Sequence, residues 1–235
     1  MSVYFLVEGR RTEAQVYPAW LTELLPSFRR VHNPQQVTRH CYCLVSASGY
    51  PSVVQETLKN AIADVNDNET FSHLVVCLDA DNFSVEERLT EVNQILDNAR
   101  KADSGSWRLR AAELKFIIQH RTIETWFLGN RRMISDAPQR DTLRRYLAFH
   151  DVREHDPELM KLHPGYDYHA DFHHDYLKEV FQERGISYRK RDPGHVKEKS
   201  YLEQLLVRIA SRSQDMKSFR HLVDLCREIE RLAKL

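Results

Sequence analysis

Apolar runs of five or six residues recur along the chain at positions 3–7, 40–45, 74–78 and 114–118, each rich in β-branched or aromatic side chains. Runs of that length and composition predict strands. Between them, apolar positions return every three or four residues: Val16, Trp20 and Leu24, then Leu58, Ile62 and Val65, then Val85, Leu89, Val92 and Leu96. This spacing predicts helices with one apolar face, the first of them started or kinked at Pro18 and the third carrying Glu86, Glu87 and Glu91 on its outer faces. The order is therefore strand, helix, strand, helix, strand, helix, strand. Continuously apolar strands separated by helices predict an α/β fold with a mainly parallel sheet covered on both faces. In such sheets ligands collect outside the carboxyl ends of the strands, so the residues just past each strand are the ones to inspect.

From position 123 the pattern changes. Trp126, Phe127, Met133 and Ile134 mark a short helical stretch, 143–147 another, and 150–176 is irregular, polar and histidine-rich. Helical spacing resumes and ends with Phe219, Leu222, Val223, Cys226, Ile229 and Leu232 on one face. The expected organisation is a sheet domain over 1–120 and a mostly helical region over 121–235 packed on it.

Composition narrows the class. At 235 residues and 42% hydrophobic the chain can bury a core. Basic and acidic residues both number 34, but positions 1–100 hold 8 basic against 13 acidic and positions 178–235 hold 14 against 9, so the chain begins acidic and ends basic. The four cysteines, Cys41, Cys43, Cys77 and Cys226, lie in apolar runs or on a helical face without zinc or disulfide spacing, which reads as reduced core residues. Neither a signal peptide nor a stretch of about 18 apolar residues is visible, so the expected setting is cytoplasmic with no membrane contact.

Three acids fall at strand exits. Glu8 follows the first strand, and Asp79 and Asp81 follow the third in LVVCLDADNF. On an extended chain side chains alternate, which would turn Asp79 and Asp81 to one side and Ala80 to the other. If the first and third strands are neighbours, Glu8 joins them. Like charges about 4 Å apart cost on the order of 4 kcal/mol per pair at an effective dielectric of 20, so such a group requires a cation. Mg²⁺ or Mn²⁺ suits carboxylate oxygen and points to phosphodiester cleavage. Taken singly, each acid is equally a helix cap or a loop residue.

The motifs VEGRRTE around Glu8 and DAD at 79–81 resemble the TOPRIM fold of topoisomerases, bacterial primases and OLD-type nucleases, over about residues 1–120. With the later RTIETWFLGN, the chain is most similar to small stand-alone TOPRIM proteins related to the OLD and RloB groups, many linked to bacterial anti-phage defence and often paired with an ATPase. The resemblance implies a Mg²⁺- or Mn²⁺-dependent nuclease with Glu8, Asp79 and Asp81 as ligands. It also implies further carboxylates for a second metal from Glu13 and Glu124. Glu13 alternatively favours a helix dipole, and Glu124 alternatively pairs with Arg121 or Arg131. The chain is too short for the full machinery of a topoisomerase or primase, which leaves hydrolysis of DNA or RNA with an ABC- or SMC-like ATPase as partner and leaves homo-oligomerisation open.

Two other features bear on this reading. YRKRDPGHVKEKSY, 188–201, places Arg189, Lys190, Arg191, Lys197 and Lys199 around a Pro-Gly turn, as a phosphate-binding loop or a solvated one; Lys199 is the candidate for offsetting transition-state charge. Positions 150–174 hold six histidines, among which His169, His173 and His174 read better as a satisfied or surface cluster than as zinc ligands, for want of a third ligand at a recognisable spacing. Trp126 and Phe127 read as core. The competing function is a non-catalytic TOPRIM-like scaffold subunit. A response-regulator-like or phosphatase domain also has acids at strand ends but fits a first-strand glutamate less well.

Overall fold

The computed structural model describes residues 1–103 and 105–234. Its sheet has five strands, β1 (Ser2–Val7), β2 (Arg29–Val31), β3 (Cys41–Ser46), β4 (Phe71–Asp79) and β5 (Glu113–Gln119), in the order β2-β3-β1-β4-β5. β1 runs parallel to β3 and to β4, and β2 runs parallel to β3. Helices α1 (Glu13–Leu24), α2 (Leu58–Asp67) and α3 (Val85–Ala102) separate the strands. Then follow α4 (Ile123–Phe127), α5 (Asp141–Phe149), α6 (His169–Glu183), α7 (Lys199–Ser211) and α8 (Lys217–Ala233). This is the α/β fold with a helical C-terminal part that the apolar pattern predicts. Among the described residues no helix is long and apolar enough to cross a membrane.

The central position of β1 explains its sequence. Every residue from Ser2 to Val7 is buried, and because neighbours on a strand point to opposite faces, both faces of the sheet are covered there. β2 is the strand that the apolar pattern does not announce. It is three residues at the sheet edge, two of them arginine, held by main-chain pairing with β3, and an edge strand needs no buried run.

The chain divides into two compact units, Met1–Leu78 with Val85–Ile118 and Leu222–Leu235, and Asp79–Ser84 with Gln119–His221. In the first, Phe5 meets Tyr42 edge-on, and the hydroxyl of Tyr4 donates to Asp64 at 3.0 Å. All four cysteines are free and buried.

The second unit is built around α4, whose five residues are all buried, Trp126 and Phe127 included. The Trp126 indole donates to Ser218 Oγ at 2.8 Å and meets Phe219 edge-on, while the Tyr201 hydroxyl donates to the Phe127 carbonyl. Ser218 Oγ also accepts from the His120 amide and donates to Glu158 at 2.6 Å, so its hydrogen-bonding capacity is filled. The amides of Ser218 and Phe219 donate to the same carboxyl group. Burial nevertheless pushes the Glu158 carboxyl up to about 7.

A carboxyl group raised in the folded state stabilises the fold below its unfolded value of about 4.5 and loses that contribution as pH rises through 7. The loss is about 3 kcal/mol. Glu158→Gln, which stays neutral, is therefore expected to match the wild type near pH 4 and to exceed it progressively by pH 8. Urea unfolding of both proteins across that range checks this; a stability difference independent of pH contradicts it.

Candidate functional site

The sequence-derived residues fall in both units: Glu8 and Glu13 in the first, Asp79, Asp81, Glu124 and Lys199 in the second.

In the first unit, β1 ends at Val7, opposite Cys77 of β4, and the Glu8 amide donates to the Cys77 carbonyl at 3.1 Å. The Glu8 carbonyl accepts from Gly49, and its carboxylate accepts from the Tyr50 amide at 3.2 Å, so the turn after β3 is fastened to this residue at two points. Behind that turn, the Arg88 guanidinium lies over the Tyr50 ring, 4.1 Å from its centre, and donates to Glu91. Arg88 is only 2% exposed, a placement that aromatic stacking and ion pairing support together.

Glu13 is the first residue of α1, where a carboxylate suits the helix dipole, yet it is buried. Its carboxylate packs over Gly9, and a Cβ at position 9 would collide with it. Its charge also acts on the Cys77 thiol, which burial pushes up to about 12. Both glutamates thus gather near the level of Cys77. Gly9→Ala is expected to destabilise the protein by about 1–3 kcal/mol by displacing Glu13, and Glu13→Ala to restore most of that loss. Thermal denaturation of the single and double variants tests the pair; additive effects would remove the explanation.

In the second unit, Asp79 is the last residue of β4, and the alternation expected from an extended chain stops there. The Ala80 amide donates to the Gln119 carbonyl, the Asp81 amide to the Arg121 carbonyl at 2.9 Å, and Phe83 closes a turn onto Ala80. Asp81 itself adopts φ 53°, a left-handed conformation that aspartate tolerates better than most residues. Asp79 and Asp81 therefore share a loop, but not the pleat that was expected to align them. Both are half-buried.

Sequence reading did not assign the residues that fix this loop. Arg121, also left-handed at φ 68°, donates to the carbonyls of Phe83 at 2.6 Å and Asp81 at 3.4 Å. The His169 amide, at the start of α6, donates to the Asn82 side chain at 3.2 Å. The one available signal was an arginine three residues past the fourth apolar run. His173, one turn further along α6, shares a 2.7 Å hydrogen bond between Nδ1 and Thr125 Oγ1, and its ring lies 5.5 Å from that of His169. Burial, reinforced by Arg121 and His120, holds His169 down to about 4 and His173 well below the usual histidine range, so both rings are neutral at pH 7.

Glu124 is 1% exposed, and its partners are neither Arg121 nor Arg131: the Tyr188 hydroxyl donates to it at 3.0 Å and Lys190 Nζ lies 3.5 Å away. The basic loop thus contributes a buried tyrosine, Tyr188, and the ammonium of an exposed lysine, Lys190, to this carboxylate. Lys199 is exposed at the first position of α7.

Among the described residues, no group of three His, Cys, Asp or Glu side chains is drawn together as a metal cage. Mg²⁺ does not require one, since it commonly binds one or two carboxylates and completes its shell with water and substrate phosphate. Two hard carboxylate donors in one loop, fixed by backbone and arginine bonds, suit such a cation. Comparison with known proteins adds no relative: no family description, curated protein or solved structure matches the chain.

Proposed function

We propose that the protein is a divalent-metal-dependent nuclease that hydrolyses phosphodiester bonds of DNA or RNA. The observation that carries this reading is the pairing of β1 with β4 as parallel neighbours, one strand continuing into Glu8 and the other into Asp79, Ala80 and Asp81. Carboxylates at the exits of adjacent parallel strands stand where such sheets bind ligands. Asp79 and Asp81 would hold Mg²⁺ or Mn²⁺; Glu8 as a further carboxylate is what the TOPRIM resemblance implies. When bound, the cation supplies Lewis-acid polarisation of a phosphoryl oxygen and a more acidic water.

The chain's own groups do the positioning. Arg121 and Asn82 keep the loop that carries both aspartates in place, and the Tyr50 amide orients Glu8. The resemblance implies Glu124, here held by Tyr188 and Lys190, and Glu13, here packed over Gly9, as carboxylates for a second cation, and Lys199 is the candidate for transition-state charge. The resemblance of VEGRRTE, DAD and RTIETWFLGN to small TOPRIM proteins supports a role as effector in anti-phage defence beside an ABC- or SMC-like ATPase.

The reading is tested by calorimetric titration with Mn²⁺, together with incubation of labelled DNA and RNA with Mg²⁺, Mn²⁺ or chelator. Binding of Mn²⁺ and metal-dependent cleavage are expected. An absence of metal binding at millimolar concentration sinks the reading and favours a TOPRIM-like scaffold subunit.

A further inference from the structure

The second unit carries a cleft that the carboxylates do not use. Its volume is about 780 Å³, and its lining includes Arg131, Arg132, Arg153, Arg184, Arg208 and Val207. Three acids line it beside five arginines: Asp151 is paired with Arg153 at 2.7 Å, Glu154 lies 3.2 Å from Arg212 and 3.9 Å from Arg131, and the charge of Asp136 acts on Arg153. Arg208, at the back, is met by Asp215.

Arg184 and Arg132 are different. Arg184 donates Nε to the Met133 carbonyl at 3.2 Å and Nη2 to the carbonyls of Arg132 at 3.1 Å and Ile134 at 3.5 Å. Those acceptors are neutral, so they orient the guanidinium and leave its charge in place. They also hold the Arg131–Met133 turn, and with it the exposed Arg132, beside that charge. Both arginines line the same cleft, where like charges favour entry of an anion, and a pre-oriented guanidinium fork matches phosphate geometry. A cleft of this size admits a nucleotide-sized group, and Val207, 58% exposed, offers apolar surface to a sugar or base.

We infer that this cleft binds the phosphate backbone of a single nucleic-acid strand, with Arg132 and Arg184 as its phosphate contacts. The choice of nucleic acid rests on the nuclease reading; the anion site itself does not.

The test is fluorescence anisotropy of labelled single-stranded DNA and RNA with the full chain in EDTA over a range of salt, which separates binding from metal and from cleavage. Arg132→Glu, a change at an exposed side chain, is expected to weaken binding at least about tenfold and to reduce the slope of log affinity against log salt by about one. Arg184→Gln is expected to act in the same direction, with its melting temperature measured alongside. Unchanged affinity and slope in Arg132→Glu overturns the assignment, as does a protein that binds neither oligonucleotide at low salt. Arginine-dependent binding without Mn²⁺-dependent cleavage defeats the nuclease reading and leaves this one standing. Cleavage with binding indifferent to Arg132 does the reverse.

Discussion

Metal-dependent cleavage should fall by about a thousandfold or more when Asp79 and Asp81 are both replaced by asparagine. Loss of the cation's stabilisation of phosphoryl charge amounts to about 4 kcal/mol or more of barrier, and each tenfold in rate is about 1.4 kcal/mol. Asparagine is the better probe because Asp81 sits at φ 53°, which asparagine adopts readily and alanine does not. The bonds from the Ala80 and Asp81 amides and from Arg121 to two carbonyls end on main-chain oxygen and survive the change. The far-ultraviolet circular dichroism and melting temperature of the variant should therefore stay close to wild type while calorimetric Mn²⁺ binding disappears. A variant that cleaves at the wild-type rate would remove these aspartates from the chemistry.

The second large effect concerns stability. Arg208, 2% exposed on α7, donates to the carbonyls of Val152 and His155 at 2.7 Å, to that of Gly129 at 3.3 Å, and through Nε to Asp215 at 2.9 Å. One side chain thus ties α7 to the turn after α4 and to the irregular segment after α5. Arg208→Ala leaves the half-buried Asp215 carboxylate and three carbonyls without their donor, a loss of about 3–5 kcal/mol against a total stability of about 5–15 kcal/mol. Urea denaturation is expected to show a midpoint lowered accordingly, whereas a loss below about 1 kcal/mol would mean that water replaces the guanidinium without penalty. Arg208→Lys should recover little, since one ammonium cannot reach acceptors spread over a planar fork.

These two sites differ in how far the sequence discloses them. Residues 3–7 and 74–78 announce strands, and the placement of Glu8, Asp79 and Asp81 just beyond them follows from counting along the chain. The alternation argument fails at Asp81 because the strand has already ended, and the turn there is set by hydrogen bonds to Gln119 and Arg121, some forty residues away. Arg208 reads locally as one more charge on an amphipathic helix. Only the fold shows that three carbonyls from distant segments converge on it.

Hydrophobic periodicity is a property of consecutive residues, because the pitch of a helix and the pleat of a strand are fixed by the backbone itself. For that reason the sequence alone determined the alternating strands and helices, the buried course of β1, the core role of Trp126 and Phe127, and the acids at the strand exits. The partner of a polar group depends instead on where distant segments meet, and no local pattern records that. Tertiary structure therefore decided the edge strand β2, the Tyr188 and Lys190 pair that holds Glu124, the packing of Glu13 over Gly9, and the carbonyls that orient Arg184.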